Sequence, residues 1–160
     1  MTNSAPTDLG ASSSKVWLIT GASSGFGRAL AEVALARGDH VLATARRLDQ
    51  LAALAQAFPA TCRTLEFDVT DRAAAKATIA AAHAAFGRID VVVCNAGSAL
   101  LGATEALDDD ALQRNLEVNF LGPLRVIRAA LPGLRAQRAG RIIVVSAAAA
   151  IANYPGFAGY

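Results

Sequence analysis

From Lys15 onward, short apolar runs alternate with longer stretches in which apolar residues recur at helical spacing. Val16 to Thr20 is a near-continuous apolar run, the pattern of a strand buried on both faces. The run breaks at Gly21. Phe26, Leu30, Val33 and Ala34 then mark one face of a helix predicted from Gly25 to Arg37 and stopped at Gly38. The same alternation predicts a second strand from His40 to Ala45 and a helix from Leu48 to Phe58, ended by Pro59. A third strand follows from Cys62 to Phe67. A third helix begins at Asp71, a suitable N-cap, and runs through an alanine-rich stretch to Phe86, where Gly87 stops it. The fourth strand is Ile89 to Cys94, followed by a loop from Asn95 to Thr104. A long helix is expected from Asp108 to Arg138, bent or split by Pro123 and Pro132. Asp108, Asp109 and Asp110 suit its positive N-terminal end. Arg141 to Ser146 reads as a fifth strand, and Ala147 to Tyr160 as a loop.

Apolar strands separated by helical segments predict an α/β fold: a Rossmann-type, doubly wound parallel sheet in three layers. Right-handed crossovers place helices on both faces. In such a sheet, ligands bind beyond the carboxyl ends of the strands. A chain of 160 residues suits one domain, here 15–160, with 1–14 as a flexible tail. Hydrophobic residues make up 54% and charged residues 18%, enough for a sizeable core.

The formal net charge of +2 without a basic block argues against a nucleic-acid partner. No apolar run reaches the roughly 18 residues of a membrane span, and the N-terminus lacks the features of a signal peptide. Cys62 and Cys94 are far apart and read as free buried thiols in a reducing, cytoplasmic compartment. His40 and His83 are isolated and read as solvent-facing, so no metal site is expected. Trp17, inside a buried strand, reads as a packing residue.

The strand ends carry the chemistry. Gly21, Gly25 and Gly27 form a G-x-x-x-G-x-G turn between a buried strand and a helix N-terminus. The first amides of a helix have no partner, and the dipole places partial positive charge there, so the turn suits a phosphate. Gly21 permits the tight exit from the strand, Gly25 close ligand approach, and Gly27 helix–strand packing. Ser23 and Ser24 can add hydroxyl donors, and Phe26 belongs to the same turn. A purely structural strand-to-helix turn is the alternative.

At the end of strand two, Ala45 occupies the place where an acidic residue would bind the adenosine ribose hydroxyls. Arg46 and Arg47 follow and suit a 2′-phosphate, which favours NADP(H) over NAD(H). The alternative is a solvated helix start. Asp68 and Val69 follow strand three, where Asp68 also suits a turn that caps the next helix. Asn95, Ala96 and Gly97 follow strand four. Small residues there let a ligand lie against the backbone, while the Asn95 amide can tie neighbouring strand ends together. Asn119, in an otherwise apolar helical stretch, needs hydrogen-bond partners and reads as a buried link between helix and sheet.

TGASSGFG at 20–27, DVT at 68–70, NAG at 95–97, EVNFLG at 117–122, RIIVVS at 141–146 and YPGFAGY at 154–160 resemble the short-chain dehydrogenase/reductase family. The resemblance covers 15–160. It implies hydride transfer between NAD(P)(H) and an alcohol or carbonyl carbon of a small molecule. It implies that Asp68 faces the adenine, with the Val69 amide beside it. Asn119 would support a proton relay and Tyr160 would be the catalytic acid/base. A phenol titrates near pH 10 and needs help to exchange protons near neutrality. The lysine that the family places four residues after this tyrosine lies beyond the end of the sequence, which reads as incomplete at its C-terminus.

The family's substrate-orienting serine falls on Ala147, with Ser146 just before it as the substitute candidate. On a regular strand the Ser146 side chain would face the other way. Binding of a nucleotide without chemistry is therefore the alternative to an NADP(H)-dependent oxidoreductase. The resemblance also implies homo-oligomers through the long helix near 108–138.

Overall fold

The computed structural model describes residues 14–152 and 154–159. The expected tail, apart from Ser14, and Tyr160 lie outside the described residues. Five parallel strands form one sheet: β1 Val16–Thr20, β2 His40–Ala45, β3 Cys62–Glu66, β4 Val91–Cys94 and β5 Arg141–Val144, in the order β3-β2-β1-β4-β5. Leu18 pairs with Leu42 on one side and Val92 on the other, at the centre of the sheet. The order reverses at β1, so the carboxyl ends of β1 and β4 open a crevice there.

Both faces of the sheet are covered. Ile19, Val41, Ala43 and Val93 pack under α1 (Gly25–Ala36) and α2 (Ala52–Ala57). Leu18, Leu42, Val92 and Cys94 pack under α3 (Ala74–Phe86) and α5 (Gly122–Gln137). This alternation explains why β1, β2 and β4 are mainly apolar, with Thr20 and Thr44 as buried polar exceptions. β5 differs. It has one strand partner among the described residues, and Ile143 and Val144 stay 40% and 51% exposed.

Several helices depart from the sequence pattern. The residues of α1 that reach the core are Gly27, Ala31, Ala34 and Leu35, while Phe26 and Val33 are 81% and 56% exposed. Small side chains let α1 lie close to the sheet, so its larger apolar residues turn outward. The second helix opens with a 3-10 turn at Leu48–Leu51 before α2. Regular α3 starts at Ala74, after the Asp71 carboxylate has accepted from the amides of Ala73 and Ala74.

The expected long helix is continuous over 109–137 but is not regular α-helix throughout. α4 (Asp109–Leu116) is capped by the Asp108 carboxylate, which accepts from the Ala111 amide. A π-turn at Glu117–Leu121 then leads into α5. The π-turn precedes Pro123 and has a local cause. Pro123 has no N–H to give the Asn119 carbonyl, and the Gly122 amide reaches back to the Glu117 carbonyl, one residue farther than in an α-helix. Pro132 sits inside α5 without ending it.

β4 and β5 are each shorter than the apolar runs suggest. Cys62 and Cys94 are free and buried, and burial pushes the Cys94 thiol up to about 11. At the opposite edge of the sheet from the crevice, the Asp39 carboxylate accepts from the Lys15 amide and the Trp17 indole, and Asp90 accepts from the Val16 amide. These carboxylates fix the start of β1. No helix is long and apolar enough to cross a membrane among the described residues. No cluster there could hold a metal ion either.

Candidate functional site

A cleft of about 1080 Å³ opens at the carboxyl ends of the strands. Gly21, Ser23, Ser24 and Phe26 line one side, with Arg46 and Arg47 beside them. Asp68 and Val69 come from the end of β3, and Asn95, Ala96 and Gly97 from the end of β4. Residues from four separate strand ends thus meet in one crevice. Gly25 and Gly27 are outside the lining: Gly25 is exposed at the start of α1 and Gly27 is buried behind the turn.

The glycines serve different ends. Gly21 has φ +67°, and a Cβ there would lie 2.9 Å from the Ala96 Cα. Gly25 has φ +54°, and the space its side chain would enter is empty to 4 Å. Gly27 has ordinary helical backbone but no room: a Cβ would meet the Gly21 carbonyl oxygen at 2.5 Å and collide with the Asn95 amide. Ser24, the N-cap of α1, makes no side-chain cap bond, unlike Asp108 on α4. The first turn of α1 is therefore left without the side-chain acceptor that normally satisfies its amides. Open space at Gly25, an uncapped helix end and two adjacent arginines fit a phosphorylated ligand.

The arginines are not equivalent. Gln50 lies beside Arg47, and with its amide oxygen turned toward the guanidinium it accepts from Arg47 Nε at 3.2 Å. Arg46 takes part in none of the ion pairs among the described residues. Ala45, just before it, is buried and carries no charge.

Asp68 is turned toward its own loop. Its Oδ1 accepts from the Thr70 amide at 2.9 Å and the Thr70 hydroxyl at 2.8 Å. Asn95 ties β1 to β4. Its Nδ2 donates to the carbonyls of Thr20 and Gly21, and its amide donates to the Thr20 hydroxyl.

Asn119 lies behind the lining. Its Oδ1 accepts from the Ser98 amide at 2.9 Å, and its Nδ2 donates to the Ser98 carbonyl at 2.7 Å and to Asn115 Oδ1 at 3.1 Å. Asn115 donates to the same carbonyl at 2.9 Å. Two asparagines one helical turn apart therefore hold Ser98 by both backbone groups. Ser146 lies beyond β5, exposed, and does not line the cleft.

The sequence profile of the family described as short chain dehydrogenase matches residues 15–160. The chain belongs to the short-chain dehydrogenase family. Among its family relatives, oxidoreductase BOA17 of Botryotinia fuckeliana is 42% identical over 147 residues, which cover 91% of this chain and 54% of that protein. The human 17-beta-hydroxysteroid dehydrogenase type 1 is 39% identical over 150 residues, 88% of this chain and 45% of that protein. The crystal structure of a short-chain dehydrogenase from Streptomyces avermitilis superimposes with a TM-score of 0.90 at 42% identity, covering 92% of this chain and 55% of that one. The chain thus spans about half the length of these relatives.

Within this short-chain dehydrogenase fold, the cleft also takes Gln50, Ser98, Arg114 and Asn115, which motif reading does not single out. Asn115 had a signal. It stands four residues before Asn119, on the same helix face.

Proposed function

We propose that this chain is the cofactor-binding part of an NADP(H)-dependent oxidoreductase acting on a secondary alcohol or carbonyl compound. The observation that carries the reading is the cleft itself, where an uncapped helix end and a glycine turn meet Arg46 at the end of β2. The α1 amides with Ser23 and Ser24 would hold the pyrophosphate, and Arg46 and Arg47 the 2′-phosphate. Asp68 and Val69 would flank the adenine, while Asn95, Ala96 and Gly97 let the dinucleotide lie against the backbone. When bound, the cofactor supplies or accepts hydride at its nicotinamide carbon. Tyr160 would exchange the proton at the substrate oxygen and Asn119 would support its relay, while Ser146, outside the cleft, could orient that oxygen only if the end of β5 shifted.

Titration of the chain with NADPH and NADH tests the cofactor reading. NADPH is expected to bind at least about tenfold tighter, the equivalent of about 1.4 kcal/mol. Arg46→Ala is expected to remove that margin and leave NADH affinity unchanged. Equal binding of the two cofactors would refute the assignment of Arg46.

Ala147, at the position the family resemblance assigns to a serine, supports a second reading, nucleotide binding without chemistry. A carbonyl-reduction assay separates the two. The free, buried cysteines support a reducing, cytoplasmic setting. Leu116, Phe120 and Leu124 are exposed by 53%, 58% and 37% at four-residue intervals, which supports self-association through the segment 108–138. Sedimentation should show a dimer that Phe120→Glu returns to monomer. A wild-type monomer would rule this out.

A further inference from the structure

The π-turn between α4 and α5 is connected by charge to the Asp68 side of the cleft. Glu117 opens the turn, and its Oε2 lies 2.7 Å from Arg125 Nη1. Its Oε1 lies 3.4 Å from Arg72 Nη2. The Glu117 and Arg125 side chains are 17% and 18% exposed, whereas Arg72 is 80% exposed. The Arg125 pair is thus the sheltered one, and water screens the Arg72 contact. The Arg125 guanidinium beside Glu117 holds its carboxyl below the ordinary range, with Arg72 adding to the effect. The carboxylate is therefore charged at neutral pH.

Arg125 does a second thing. Its Nη1 donates to the Thr70 carbonyl at 3.3 Å. Thr70 holds Asp68 through its amide and hydroxyl. Val69, between them, presses on the start of α5, where a Cβ on Gly122 would come within 2.9 Å of the Val69 Cβ. Asp68 and Val69 line the cleft, but Glu117, Arg125 and Thr70 do not. The same π-turn carries Asn119, which fixes Ser98 on another part of the lining. One irregular turn therefore braces two segments of the cleft wall. π-turns inside helices are frequent at functional sites.

We propose that Glu117 and Arg125 form a strut that positions the Asp68–Thr70 wall for the adenosine half of the dinucleotide, acting through Thr70 and Val69 without touching the ligand. The proposal rests on the cofactor reading above. Removing the charge at Glu117 frees Arg125 to swing to solvent and lets the Thr70 loop open.

Two readouts on the 160-residue chain test it. The first, hydrogen exchange followed by NMR, needs no ligand. In Glu117→Gln the Thr70 amide should exchange about tenfold faster, while amides of β1 and β2 keep their rates. The second is binding of 2′,5′-ADP, which should weaken about tenfold in Glu117→Gln and recover in part in Glu117→Asp. Unchanged Thr70 exchange overturns the strut. Faster exchange with undiminished 2′,5′-ADP binding overturns its positioning role. Faster exchange throughout β1 and β2 means general destabilisation and also overturns it. If the unsubstituted chain binds neither 2′,5′-ADP nor NADPH, the cofactor reading falls and the strut's role in binding falls with it. That result is visible before any variant is compared.

Discussion

Thr20→Val is expected to destabilise the chain by about 3 kcal/mol, although it barely changes the volume of the side chain. Thr20 is 2% exposed at the end of β1. Its hydroxyl accepts from the amides of Asn95 at 3.0 Å and Ala96 at 3.1 Å, and donates to the Val93 carbonyl at 3.3 Å. Valine would leave two amides and a carbonyl without their partner where the chain leaves β4. Each unsatisfied buried group costs roughly 1–3 kcal/mol. Thr44→Val is the control. Thr44 is equally buried but makes one hydroxyl bond, to the Ile19 carbonyl at 3.3 Å, so about 1 kcal/mol is expected. Urea denaturation should show both midpoints falling at a constant slope, with Thr20→Val falling farther. Equal losses would mean that the Asn95–Ala96 turn finds other acceptors.

Gly27→Ala should cost about 2 kcal/mol and abolish nucleotide binding. Alanine is the better helix former by about 1 kcal/mol, so propensity alone predicts a gain. Packing opposes it. The new methyl would meet the Gly21 carbonyl at 2.5 Å, and the Asn95 amide blocks the other direction. Neither neighbour is a flexible side-chain end, since Asn95 is fixed by its bonds to Thr20 and Gly21. Overpacking a rigid site costs about 1–3 kcal/mol, and about 3 here, less the helix gain of about 1, leaves the net loss of about 2 kcal/mol. The helix must move away from β1, and the phosphate turn moves with it. Denaturation measures the first effect and NADPH titration the second. A stabilised Gly27→Ala would show that α1 can slide without cost.

β1, β2 and β4 were legible because they are buried on both faces, which leaves mainly apolar runs between glycine and proline stops. The glycine turn and the other strand-end motifs were legible for a related reason: a parallel sheet gathers them at one edge. The π-turn was not. Its cause, a missing donor at Pro123, is written in the sequence, but its effect appears upstream at Glu117 to Leu121, inside an intact helical pattern. The facing of α1 is half legible: Leu30 and Ala34 pack on the sheet as their spacing implies, but Phe26 and Val33 turn outward while Ala31, with little hydrophobic signal, fits close to the sheet. Asn115 is signalled in the sequence only by its four-residue spacing from Asn119, and its hold on Ser98, in the loop after β4, shows only in the structure.

Trp17 is the single tryptophan, and its indole donates to Asp39 at the end of the sheet away from the cleft. Gly21 is four residues further on, about 13 Å along an extended strand. Its emission is therefore a clean optical gauge of whether the sheet is intact, since no ligand in the cleft touches the indole. Any quenching by a reduced nicotinamide cofactor must come from energy transfer across that gap. Unfolding and occupancy can then be read from one fluorophore, the first as a shift in wavelength and the second as a loss of intensity.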